Sequence, residues 1–232
     1  MKKITLLFLS ILLFATYSLQ AQKAFSGDIH IQAKIEGTDD PNITSSIPDM
    51  TTVVSILGNK FKQVQTFEGG AGAVTIIWDG DKENTIFVVE FMGMGKFYKK
   101  LPAEKYQEKK KLTELRFKYE DEYKDVCGYK CQKVVVTSIN LEDDSTTETI
   151  CYVSKEIGGA KLNMQIPGLE GYPLVIMSPM PEYCDECMTV MEAVKIVPKK
   201  IKDVDFLLPD DAKNLEDNPE LYEMLKGAFG EE

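Results

Sequence analysis

Histidine and arginine are almost missing from this chain: His30 and Arg116 are the single examples among 232 residues. One histidine excludes a two-histidine zinc motif of the H-E-x-x-H kind. His30 sits on the polar side of an alternating run, with no evident partner, and no G-x-S-x-G occurs, so a nucleophile–histidine triad has no footing. Arginine is the side chain of bidentate phosphate and base recognition, and a net charge of −10 repels nucleic acid at long range, so that class of partner is set aside. After Tyr17 no apolar run approaches the ~20 residues of a spanning helix, so an integral membrane protein is not expected. No cofactor-binding fingerprint is present; the glycines at 69 and 70 precede a strand-like run, whereas a phosphate cradle precedes a helix.

What is present begins with an export signal. Met1-Lys2-Lys3 gives a positive start, Ile4 to Tyr17 an apolar stretch, and Ser18 to Gln22 a small and polar exit, with cleavage expected after Ala21. No cysteine lies near that point, so an amino-terminal lipid anchor is not expected and the mature chain is periplasmic or secreted. Removing residues 1–21 leaves 25 basic against 37 acidic side chains, a net charge of −12. Residues 22–232 suffice for a single core.

Most of that length alternates with period two. Ile29, Ile31, Ala33 and Ile35 define one strand; others fall near 50–57, 60–67, 73–78, 84–91, 97–101, 114–120, 130–139, 146–154, 172–177 and 188–197. Gly58-Asn59, Gly69 to Gly72, Asp79-Gly80-Asp81 and Glu142 to Ser145 mark turns, and 37–48 and 156–171 read as loops. Helices are expected from Ala103 to Thr113 and from Pro219 to Phe229, where Leu221, Met224, Leu225 and Phe229 share a face. The expected fold is mainly β (α+β): one half-open, strongly curved antiparallel sheet or barrel with one or two helices. No βαβ alternation is visible.

Five cysteines, Cys127, Cys131, Cys151, Cys184 and Cys187, all follow the signal, and export permits disulfides among them, with at least one left over. Cys184-Asp-Glu-Cys187 has a redox spacing, but its two carboxylates disfavour a thiolate, so a structural disulfide or free thiols explain it better. Met180 and Met188 beside these thiols make a weak soft-metal candidate, and four thiols a weaker zinc one. Asp79, Asp81, Glu83, Thr85 and Glu90 imitate a calcium-loop register, yet Asn84 replaces its glycine and strands replace its helices. Nine basic residues crowd between Lys96 and Lys118. Lys99, Lys100, Lys109, Lys110 and Lys111 among them form a candidate patch for an anionic partner, with a solvated helix surface as the plainer account.

Several short segments carry a family likeness: Phe25-Ser-Gly-Asp28, Gly58-Asn-Lys-Phe61, Lys96-Phe-Tyr-Lys-Lys-Leu101, Gly128-Tyr-Lys-Cys131, Tyr152-Val-Ser-Lys-Glu-Ile157, Gly171-Tyr-Pro-Leu174 and Val204-Asp-Phe-Leu-Leu-Pro209. In this order they resemble the exported DUF4412-type proteins of Bacteroidetes, which are similar to the LolA/LolB lipoprotein-carrier fold. The resemblance implies a single LolA-like domain over residues 22–232, a half-open barrel closed on one side by helices, with an apolar cavity. It does not imply lipoprotein transfer, since fold does not fix function. The leading expectation is a non-enzymatic envelope protein holding a lipid or acyl chain, with Phe87, Val89, Phe91, Val134, Val136 and Ile176 lining a core or cavity. The alternative is a structural or interaction protein with a filled core and an envelope protein as partner.

Overall fold

The computed structural model describes residues 24–45, 50–70 and 72–226, so the expected signal peptide lies outside the described residues. Alternating apolar residues produce eleven long strands: β1 (Ser26–Glu36), β2 (Met50–Leu57), β3 (Lys60–Phe67), β4 (Gly72–Asp79), β5 (Asn84–Phe91), β6 (Gly95–Leu101), β7 (Thr113–Val126), β8 (Tyr129–Asn140), β9 (Thr146–Ser154), β10 (Tyr172–Pro179) and β11 (Met188–Pro198). A two-residue β12 (Lys213–Asn214) completes a twelve-stranded sheet ordered β12-β6-β5-β4-β3-β2-β1-β11-β10-β9-β8-β7. Every pairing is antiparallel except the short β12–β6 contact.

The path of the chain explains the shape. β1 lies mid-sheet, with Ile29 opposite Val54 on one side and Ile196 on the other. β2 to β6 then step outward as one arm, through tight hairpins such as Gly58-Asn59, where Gly58 takes the φ of +60° that its turn requires. At the outer edge the chain crosses through helix α2 (Ala103–Lys110) to the opposite edge, and β7 to β11 step back as the second arm. Because α2 touches both β5 and β7, the two arms curl toward each other. The sheet nevertheless stays open, and no ladder joins β7 to β6.

Non-periodic segments cover the inner side. Residues 155–171 form a plug that buries Ile157, Leu162 and Leu169, pinned by Asn163, whose amide donates to the carbonyls of Leu169 (2.6 Å) and Gly171 (2.8 Å). Near the chain's end, Leu215 and helix α3 (Pro219–Leu225) seal Phe97 on the first arm. Asn218 caps α3 by accepting from the Leu221 N–H, and Pro219 opens its first turn.

The two expected helices are present, and a third, α1 (Pro41–Thr44), arises inside the predicted loop, capped by Asp40. One expectation is corrected. Met224 does not share the buried face of α3: it is 66 % exposed, whereas Leu221 and Leu225 pack inward, because the buried stripe runs through Leu221, Tyr222 and Leu225. Phe229 lies outside the described residues. After β11, a 3-10 turn, Asp203–Phe206, buries Phe206 against Ile77 and Ile201.

Candidate ligand-binding cavity

The open seam between the arms holds a cavity of about 1060 Å³. Its floor comes from both arms and from the plug. Thr85 and Phe87 of β5 and Leu101 of β6 line one side, Leu115 of β7 and Ser138 of β8 the other, with Met164, Gln165 and Pro167 between. Tyr106 descends from α2, a helix otherwise dominated by charged side chains, and packs on Trp78 with ring centroids 4.9 Å apart. Burial, with Glu83 nearby, pushes the Tyr106 phenol up to about 12, so it remains a neutral donor in the working range. The rim carries Lys105, Glu108, Lys110, Lys111 and Leu112. Apolar walls, few polar groups and charge confined to the mouth suit an amphiphile, and the volume lies at the upper end of the ~300–1,000 Å³ usual for ligand pockets.

Beside the cavity, the plug is held to the first arm at one backbone carbonyl. Trp78 donates its indole N–H to the Lys161 carbonyl at 2.7 Å, and the Lys161 ammonium meets Asp81 at 2.7 Å. Gly80 passes so close to this point that a Cβ there would stand 2.0 Å from the Lys161 oxygen. The turn read as a calcium-loop imitation therefore fastens the first arm to the plug. Asp79 accepts from the Asp81 and Lys82 N–H groups, and Asp81 is held by Lys161 and Asn59.

Of the six residues expected to line core or cavity, Phe87 alone lines the cavity. Val89 and Phe91 pack with Phe97, Leu215 and Leu221, while Val134, Val136 and Ile176 join Cys151, Val153 and Leu169 in solid core. The expected lysine patch divides. Period-two alternation turns Lys99 inward, where it is 4 % exposed and donates to the Tyr222 hydroxyl at 2.8 Å, so its place on a surface patch is corrected. Lys100 faces outward over the Tyr98 ring. Lys110 and Lys111 stand on the rim, and the side chain of Lys109 lies outside the described residues.

The cysteines also separate. Cys184 and Cys187 form a disulfide, so neither sulfur is a free thiolate, and Met180 beside them accepts a hydrogen bond from the Thr189 hydroxyl at 2.7 Å. Met188 opens β11 opposite Pro179. Cys127, Cys131 and Cys151 are unpaired, correcting their candidacy as disulfide partners. Register is the reason: Cys151 lies opposite Val134, which places it three residues, ~10 Å, along the ladder from Cys131, beyond the span of a disulfide. Among the described residues, no group of three or more His, Cys, Asp or Glu side chains is placed to share a metal ion. None of the described helices is long and apolar enough to cross a membrane.

The sequence did not single out Tyr106, Leu115, Met164 or Pro167. Tyr106 left the clearest trace, as the lone aromatic in a charged helix. The plug residues left none, because their segment has no period. No family model matches the chain, and no curated protein matches it.

Proposed function

We propose that this chain is an exported, non-catalytic protein of the cell envelope that holds an apolar ligand, a lipid or acyl chain, in the cavity at its seam. The observation that carries the reading is the 1060 Å³ hollow walled by Phe87, Leu101, Tyr106, Leu115, Met164 and Pro167, with lysines kept to its mouth. Apolar walls reward removal of hydrocarbon from water at about 0.8 kcal/mol per methylene, while the rim leaves a polar head solvated. The export signal and the likeness to DUF4412-type proteins support the location and the class of ligand.

Protein made in its own host and purified without detergent provides the test. Extraction is expected to release an acyl-bearing molecule near one per chain, and a fluorescent fatty acid is expected to compete for the site. Empty protein with no affinity for the probe overturns the reading. The solid packing of Leu162, Leu169 and Trp78 over the rest of the inner side favours a second reading, an interaction protein of the envelope. That reading expects an unloaded cavity and a partner cross-linked through Lys100, Lys110 or Lys111.

A further inference from the structure

Along β5 the inner face of the first arm changes from hollow to filled within one step. Period-two spacing turns Thr85, Phe87, Val89 and Phe91 to the same side of the sheet. Thr85 and Phe87 line the cavity, whereas Val89 and Phe91 lie in the cluster that Phe97, Leu215 and Leu221 close. Phe87 belongs to both, lining the hollow and packing against that cluster. β6 changes at the same level. Leu101, opposite Thr85, lines the cavity, and Phe97, opposite Val89, is buried in the seal, with buried Lys99 between them opposite Phe87. The Phe87 side chain therefore stands as an end wall between the hollow and the packed end of the arm. Away from it the lining becomes charged, at Lys105, Glu108, Lys110 and Lys111. An amphiphile placed here is sorted end to end: its polar head stays at the charged rim, where it keeps its water, and its hydrocarbon runs inward.

We propose that Phe87 is the residue that determines chain-length specificity: the terminal methyl of a straight hydrocarbon stops against its ring. The inference rests on the acyl-chain reading of the cavity and adds to it a tail-first orientation and a length limit. Below the limit, each missing methylene leaves apolar wall uncovered and loses about fourfold in affinity. Beyond it, further methylenes either stay in water at the rim or press into a close-packed cluster, and neither gains affinity.

A series of saturated fatty acids of increasing length, each displacing a fluorescent fatty acid from the full chain, tests it. Affinity is expected to rise about fourfold per methylene up to one length and then to level off. Phe87→Ala is expected to move that length up by about three to four methylenes, the room its ring vacates, and Phe87→Leu by fewer. Phe87→Trp is expected to move it down. Val89→Ala, one step deeper on the same face, is expected to lower the unfolding midpoint and leave the length unchanged, because the end wall still stands. A phenylalanine with only a structural role would weaken every chain alike. An unchanged length in folded Phe87→Leu and Phe87→Trp overturns the proposal, and so does a shift in Val89→Ala equal to that in Phe87→Ala. Length-dependent binding that ignores Phe87 sinks the end wall and spares the cavity reading; no displacement by any fatty acid in the unaltered chain sinks the cavity reading itself.

Discussion

The two arms of the sheet are built from the same alternating pattern and end in different states. β2 to β6 are seven or eight residues each, joined by turns of a few residues, whereas β7 to β11 run from eight to fourteen with a seventeen-residue plug, 155–171, set between β9 and β10. The first arm is sealed by the end of the chain, through Leu215 and Leu221 on Phe97; the second is sealed by the plug, through Leu169 on Val134, Val136 and Cys151. Both seals are buried, but the plug's outer stretch, Met164 to Pro167, stops short of α2, and the cavity is the space it leaves. Hydrophobic alternation thus builds walls, and irregular segments decide which part of the enclosed volume is filled.

Truncating one leucine in each seal breaks the comparison most strongly. Leu169→Ala and Leu215→Ala remove fully buried side chains and are each expected to cost about 2–5 kcal/mol in urea unfolding. Leu169→Ala is also expected to change fatty-acid probe uptake, because its plug lines the cavity, whereas Leu215→Ala leaves uptake unchanged. Equal effects on uptake would mean that the two seals are not functionally distinct.

Asn163→Ala comes next. It deprives the Leu169 and Gly171 carbonyls of their donor inside the plug, an expected loss of roughly 1–3 kcal/mol, together with faster proteolysis between 155 and 171. Breaking the disulfide by Cys184→Ser with Cys187→Ser has a smaller expected effect, about 2 kcal/mol or less, since it closes a loop of only four residues. That loss should appear in the unfolding midpoint without altering probe uptake, because these cysteines do not line the cavity.

The gentlest contrast is chemical. Burial pushes the Cys131 thiol up to about 11 and Cys151 up to about 12, and Cys127 is raised to a lesser degree by burial and by Glu192 and Asp125. With iodoacetamide at pH 8, native protein is expected to label at exposed Cys127 alone, and urea to release the other two. The sign for stability follows from the raised folded values. Stability is intact below the ~8.5 of an unfolded thiol and falls as pH climbs toward 11–12, because only the unfolded chain ionises there. Native labelling of Cys151 at pH 8 would show that the second arm's core is not closed.

Much of the sheet was legible in the sequence, with β2, β3 and β5 falling on the expected residues, since glycine and asparagine punctuation brackets clean alternation there. β7 was read at half its fourteen-residue length because Glu120, Asp121 and Glu122 interrupt the pattern where the ladder slips between Tyr119 and Tyr123. Periodicity carries strand identity but not strand order, so the central place of β1 was not legible. The cavity was legible only as a general hollow: Phe87 was among its expected residues, while Leu115, Met164 and Pro167 meet only after two distant edges are brought together. Lys99 and Lys100 show the same limit at the scale of one step, adjacent in sequence and on opposite sides of the wall.

The missing ladder between β7 and β6 has a mechanical meaning. Elsewhere the sheet is a continuous fabric of backbone hydrogen bonds that fixes its width. At the seam α2 and the plug, fastened to the first arm at Lys161, bridge the gap, so parting the two edges ruptures no strand pairing. The width of the seam is therefore set by packing and not by a backbone ladder.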